Sequence, residues 1–183
     1  MGFSLVLKTK GTVKCLGVGT SSFRMNSKRI GNIGEAKALA KFVELGIPFY
    51  IPFGDNESAD LIAEFNGKLN KIQCKTTAAI SEQSIITWNL RSIVVTTGNR
   101  YKVHNYTDKE VDYFVLYHSV LDLLLIVPFS EISNKSSISF TYPFRVVKTA
   151  TNQRDYRDYL FEEITYLIRA IWRVNCWGSN PLC

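Results

Sequence analysis

The chain has 183 residues and sets 22 Lys and Arg against 16 Asp and Glu, a formal net charge of +6. That length suits one domain with a real core, and its ordinary apolar content excludes a disordered chain. The longest apolar run, Leu121 to Phe129, contains Asp122 and Pro128 and is too short to cross a bilayer, so no membrane segment is expected.

The charge is unevenly placed. Lys8, Lys10, Lys14, Arg24, Lys28 and Arg29 all precede the first acid, Glu35, and beyond that stretch basic and acidic residues cancel. Residues 1–29 therefore read as a basic N-terminal arm rich in Gly, Ser and Thr, suited to a polyphosphate partner or else simply solvated. Met1 to Lys8 lacks the sustained apolar core of a secretory signal. Cys15, Cys74, Cys176 and Cys183 form no CxxC pair, and only His104 and His118 are available beside them, so a zinc site is not expected. Reduced, cytoplasmic residence fits this cysteine usage.

A domain spanning residues 30–174 follows, with 175–183 as a tail. Ile30 to Gly46 is predicted to be a helix, because Ile33, Ala36, Ala40 and Val43 recur at helical spacing and Gly46 and Pro48 end it. Phe49 to Ile51 is a short strand and Gly54 to Ser58 a loop. Ala59 to Phe65 and Lys68 to Thr76 are strand-like runs separated by Asn66-Gly67, the strongest short-range signal for a two-residue type I′ hairpin. Such a turn fixes the register. Phe65 faces Lys68, so Asp60 faces Gln73, with Cβ atoms about 5 Å apart. Lys75, two residues on, shares that face.

Thr77 to Asp108 is polar, with Ile85 to Trp88 a possible strand and Gly98-Asn99 a turn. Val111 to His118 and Leu121 to Pro128 are apolar runs that read as strands covered on both faces. Arg154 to Val174 places Tyr156, Leu160, Ile164, Leu167 and Ile171 at helical spacing and reads as a closing packing helix, its charges paired along its own surface. The sum is an α/β domain with a mixed sheet.

The hairpin carries a recognisable chemistry. Hydrolysing a phosphodiester needs an activated water and a neutraliser for the charge that develops on the phosphate, both of which Mg²⁺ supplies from a bed of hard oxygen ligands. Asp60 offers a carboxylate, Gln73 an amide oxygen and Cys74 its backbone carbonyl. Lys75 can orient or deprotonate the water, or stabilise the developing charge. Glu35 shares a helix face with Leu39 and Phe42 and is the fourth candidate.

Gly34-Glu35 on a first helix, Ser58-Ala59-Asp60 opening a strand and Gln73-Cys74-Lys75 closing a hairpin resemble the PD-(D/E)xK nuclease core. The closest likeness is to the branch containing bacterial group I intron-encoded homing endonucleases, which carries QxK in place of ExK. Tyr106 to Pro128 fits the same branch, and archaeal Holliday-junction resolvases share parts of the core. The resemblance covers about Arg29 to Ile132. It implies a restriction-endonuclease-like mixed central sheet flanked by helices, Mg²⁺ or Mn²⁺ as cofactor, and double-stranded DNA as substrate. It further implies a homo-oligomer, dimer or tetramer, that is nucleoid-associated when bound to DNA. Gln73 leaves the site one negative charge short of the commoner pattern, so the metal leans on Glu35.

Each residue has a plainer alternative. Asp60 could cap a loop, Gln73 could make a cross-strand hydrogen bond, and Lys75 could be an edge-strand lysine. Glu35 could close a capping box with Asn32. Lys28, Arg29, Arg91, Arg100 and Lys102 are phosphate contacts or solvated surface. His104 and His118 read as structural. The reading that joins these residues is a site-specific double-strand endonuclease. A structure-selective junction resolvase and a non-catalytic DNA-binding module are its rivals.

Overall fold

The computed structural model describes residues 26–54, 57–96, 100–144 and 154–161. Most of the basic arm, the Gly98-Asn99 turn, residues 162–174 of the expected closing helix and the 175–183 tail lie outside the described residues.

Helix α1 runs from Ser27 to Glu44 and begins three residues before the position its apolar spacing indicates. The cap is Asn26, whose side chain accepts the Lys28 N–H, so Lys28 and Arg29 belong to the helix. Asn32 is a mid-helix residue, and the capping box with Glu35 does not form. The buried stripe is Gly34, Ala38 and Phe42, while Ala36, Ala40 and Val43 face solvent. Gly34 explains the rotation. A Cβ there would lie 1.9 Å from the Thr76 Oγ1, so only glycine lets the helix sit this close to the sheet.

The central sheet holds five strands: β1 (Phe49–Tyr50), β2 (Leu61–Phe65), β3 (Lys68–Thr77), then, after β4 (Ile85–Asn89), β5 (Ser92–Thr96) and β6 (Arg100–His104), the strands β7 (Tyr113–His118) and β8 (Leu123–Pro128). Its order is β1-β2-β3-β7-β8. The β3–β7 pair is parallel and the other pairs antiparallel, so the sheet is mixed as expected. Asn66 and Gly67 both take positive φ, and Phe65 pairs with Lys68 and Leu61 with Ile72, the register the Asn-Gly turn dictates. The Asn70 amide locks the turn by donating to the carbonyls of Phe65 and Lys68, each at 3.0 Å.

One face of the sheet packs Leu61, Ile72, Cys74, Val115 and Ile126 against Ala38 and Phe42 of α1. The other face is covered by a β ribbon where a second helix was expected. After the short helix α2 (Phe129–Ile132), strand β9 (Ser137–Thr141) pairs with β4, and Ile86, Trp88, Ile138 and Phe140 close over Phe114, Leu116, Leu125 and Val127. The closing helix does not begin at Arg154. Tyr156–Tyr159 forms a single 3₁₀ turn, and Leu160 makes a β-bridge to Leu125. Arg157 pairs locally with Asp155. Strands β5 and β6 form a separate two-stranded ribbon that pairs only with itself.

Candidate active site

Strand β3 lies between β2 and β7, but its pairing with β2 ends at Ile72, and Lys75 stands where β3 pairs with β7 alone. Alternation sends Cys74 into the α1 side of the core and turns Gln73 and Lys75 to the opposite face. Asp60 immediately precedes β2, and its N–H bonds the Ile72 carbonyl at 2.9 Å, one residue out of the hairpin register in the manner of a β-bulge, while its side chain reaches Gln73.

The Asp60 carboxylate is the hub. Its Oδ2 accepts from the Cys74 N–H at 2.7 Å and from the Gln73 amide Nε2 at 2.5 Å. Gln73 Nε2 also points toward the Cys74 carbonyl at 3.4 Å. Burial holds the Asp60 carboxyl above its ordinary value, against the opposing pull of the Cys74 N–H, the Lys75 ammonium and the Gln73 amide. Glu35 arrives from the helix side and is also held above the usual carboxylate range, first by burial and then by the negative charge of Asp60. Burial pushes the Cys74 thiol well up, with Asp60 and Glu35 adding to it. The thiol stays protonated, leaving the Cys74 backbone carbonyl as that residue's possible ligand.

Asp60, Gln73, Lys75 and Glu35 thus converge at one end of the sheet. Among the described residues no group of three or more His, Cys, Asp or Glu gathers anywhere, consistent with a centre of two carboxylates completed by an amide. Burial and the charge of Asp60 both disfavour the ionised form of Glu35, which a cation beside it would favour, and the carboxylates, the Gln73 amide oxygen and the Cys74 carbonyl are hard oxygen donors. This donor set fits Mg²⁺ or Mn²⁺. The Gln73 amide NH₂ is the hydrogen-bond donor to Asp60.

Lys75 is anchored in a way the sequence did not signal. Its Nζ donates to the Tyr106 hydroxyl at 3.2 Å and lies 4.9 Å from the centre of that ring. Tyr106 also lines an open cavity of about 300 Å³ shared with Arg91, Asn105 and Lys135. Of the other basic candidates, Lys28 and Lys102 are exposed, and the Arg100 side chain lies outside the described residues. His104 is not idle. Its Nε2 pairs with Glu110 at 2.9 Å, and Glu110 also accepts from Ser58, two residues before Asp60. His118 is fully buried, with burial lowering its pKa, and takes no part in the site.

A family model described as PD-(D/E)XK endonuclease matches residues 25–164. The chain belongs to the PD-(D/E)XK endonuclease family. Among solved structures, the bacterial homing endonuclease I-Ssp6803I is similar over 81% of this chain and 97% of its own, with a TM-score of 0.61 and 21% sequence identity. That likeness concerns the fold, and it bears out the restriction-endonuclease-like arrangement expected of the QxK branch. No curated protein matches the chain. On the sequence expectation, Asp60, Gln73 and Lys75 take the aspartate, acid and lysine positions of the PD-(D/E)XK pattern, with Glu35 as the helix acid. No described helix is long and apolar enough to cross a membrane.

Proposed function

We propose that this chain is a Mg²⁺- or Mn²⁺-dependent endonuclease that cuts double-stranded DNA at a specific site, in the manner of a homing endonuclease. The observation that carries the reading is the meeting of Asp60, Gln73 and Lys75 on one hairpin with Glu35 beside them, inside a fold shared with a homing endonuclease. When bound, the metal supplies an activated water and neutralises charge on the phosphate.

The chain's own residues do the rest. Asp60 and Glu35 provide the negative charge that holds the cation, with the Gln73 amide oxygen and the Cys74 carbonyl as neutral donors. Lys75 orients the water or stabilises charge on the phosphate oxygens. Lys28, Arg29, Arg91, Arg100 and Lys102 contact DNA phosphates. Lys28 and Arg29 sit in the first turn of α1, where the helix dipole disfavours cations, a placement that an anionic partner would relieve. One chain carries one such centre, so cutting both strands calls for at least two copies.

The test is cleavage of plasmid DNA with Mg²⁺ or Mn²⁺, beside Asp60→Ala and Lys75→Ala. Metal-dependent cutting that each substitution lowers by at least about 100-fold supports the reading. Cutting unchanged in both variants, or none with either metal, ends it. The hydrogen bond from Gln73 to Asp60 favours one rival, a DNA-binding module in which that amide stands permanently in the metal's place. Salt-sensitive DNA binding without turnover under any divalent metal would favour that module.

A further inference from the structure

Lysine carries a flexible four-carbon stem, and holding it in one geometry costs rotamer entropy. Residues 75 and 106 are 31 apart in sequence, yet the Lys75 Nζ reaches the Tyr106 hydroxyl at 3.2 Å and lies 4.9 Å from the ring centre. These two distances place the ammonium beyond the hydroxyl oxygen rather than above the ring face, so the hydroxyl is the group that holds it.

Tyr106 is itself braced. Its ring meets Phe114 of β7 edge-on, with centroids 5.5 Å apart, and meets His104 edge-on at 5.2 Å. His104 is held by Glu110, whose carboxylate also accepts from the Thr107 N–H at 2.9 Å, the Thr107 hydroxyl at 2.8 Å and the Ser58 hydroxyl at 3.2 Å. One junction therefore steadies the tyrosine beside Lys75 and the loop that leads into Asp60. That junction begins where the β5–β6 ribbon ends, at His104.

We propose that Tyr106 is the positioning residue for Lys75, holding the ammonium at the metal-binding hairpin through its hydroxyl. This rests on the nuclease reading above. It goes beyond the PD-(D/E)XK pattern, which contains no such tyrosine.

The test compares wild type, Tyr106→Phe, Tyr106→Leu, Lys75→Ala and the Tyr106→Leu/Lys75→Ala double variant. The substrate is supercoiled plasmid with Mg²⁺ at saturating protein, and DNA affinity is measured separately with Ca²⁺. Tyr106→Leu should slow single-turnover cutting by about 10–100-fold, since small misplacements near the chemistry cost that much, while affinity stays within about threefold. Tyr106→Phe removes the accepting hydroxyl while keeping the ring, and should also slow cutting by about 10-fold. In the Lys75→Ala background, Tyr106→Leu should change almost nothing further.

A readout free of catalysis is the proton NMR of the metal-free protein. The Lys75 ε-methylene protons, assigned by their loss in Lys75→Ala, should give two distinct resonances while the side chain is held, and merge in Tyr106→Leu. Unchanged or faster cutting by Tyr106→Leu, an equal loss in the Lys75→Ala background, or a single merged ε-methylene resonance in wild type would each overturn the assignment. Should Tyr106→Leu not fold, Tyr106→Phe and the wild-type ε-methylene splitting decide the matter. If the wild type itself cuts no DNA, the nuclease reading falls and this role falls with it. A cutting wild type with indifferent Tyr106 variants removes this role alone.

Discussion

Two antiparallel hairpins in this chain have opposite surroundings. The β2–β3 hairpin is built into the five-stranded sheet, flanked by β1 and β7, with Leu61, Ala63, Phe65 and Ile72 buried. The β5–β6 ribbon pairs only with itself and leaves Ile93, Tyr101 and Val103 exposed. A lone two-stranded ribbon in water is marginal, whereas a hairpin inside a sheet holds its side chains to a fixed register. Chemistry that needs Asp60, Gln73 and Lys75 in one geometry belongs on the first. A surface that adapts to a long polyanion belongs on the second, since a two-stranded ribbon can enter the major groove. The difference separates what must be rigid from what must be accessible.

The strongest way to break this division is to disturb the rigid hairpin from behind. Gly34→Val would drive a side chain into Thr76 and force α1 off β3. Overpacking of this kind costs about 1–3 kcal/mol, and the displaced helix carries Glu35 with it. Thermal unfolding should therefore show a lower Tm, and plasmid cleavage should fall more steeply than DNA binding does.

The complementary experiment touches the ribbon. Lys102→Ala should leave the unfolding free energy within about 0.5 kcal/mol of wild type, and Tm nearly unchanged. DNA affinity should weaken across all sequences, with the slope of log K against log salt shallower by about 1. A change in Tm without a change in salt slope would mean that the ribbon is structural and the division false.

The smallest effect sharpens the electrostatics of the rigid half. Glu35 has a raised pKa in the folded protein, so the native state takes up a proton more readily than the unfolded one. Ionising it therefore lowers stability as pH rises through the ordinary carboxylate value and up to the folded one. Metal-free Glu35→Gln should show a slightly higher Tm than wild type at pH 7, and no gain at pH 4. The same variant should lose cleavage with Mg²⁺, trading function for stability.

The hairpin was legible because its signal is local. Asn66-Gly67 admits one turn geometry, which sets the register from Phe65–Lys68 to Leu61–Ile72; Asp60 slips from it by one residue and meets Gln73 through its side chain. The helix was legible in kind and, through Leu39 and Phe42, partly in face. Apolar spacing favoured Ile33, Ala36, Ala40 and Val43, whereas the buried side is set by a glycine fitting against Thr76, a contact made across 42 residues of sequence. Asn26 rather than Asn32 begins the helix, which removes capping as an explanation for Glu35.

The cover on the second sheet face was illegible for a related reason. Strand β4 finds its partner β9 more than 40 residues later, so no short-range pattern announces the pair. The Arg154 segment carried helical spacing, yet Leu160 takes up an extended pairing with Leu125. Lys75 was legible as a candidate, but its tyrosine partner was not, because nothing near residue 75 encodes residue 106.

The central claim is that a cation held by Asp60 on the β2–β3 hairpin drives DNA cleavage, and the isosteric variant Asp60→Asn tests it most directly. Its side chain keeps its size and can still accept the Cys74 N–H, but it loses the charge. Single-turnover cutting of supercoiled plasmid across a Mg²⁺ titration should show wild type saturating and Asp60→Asn inactive at every concentration, with both proteins folded and binding DNA with Ca²⁺. Cleavage by Asp60→Asn at the wild-type rate would contradict the claim.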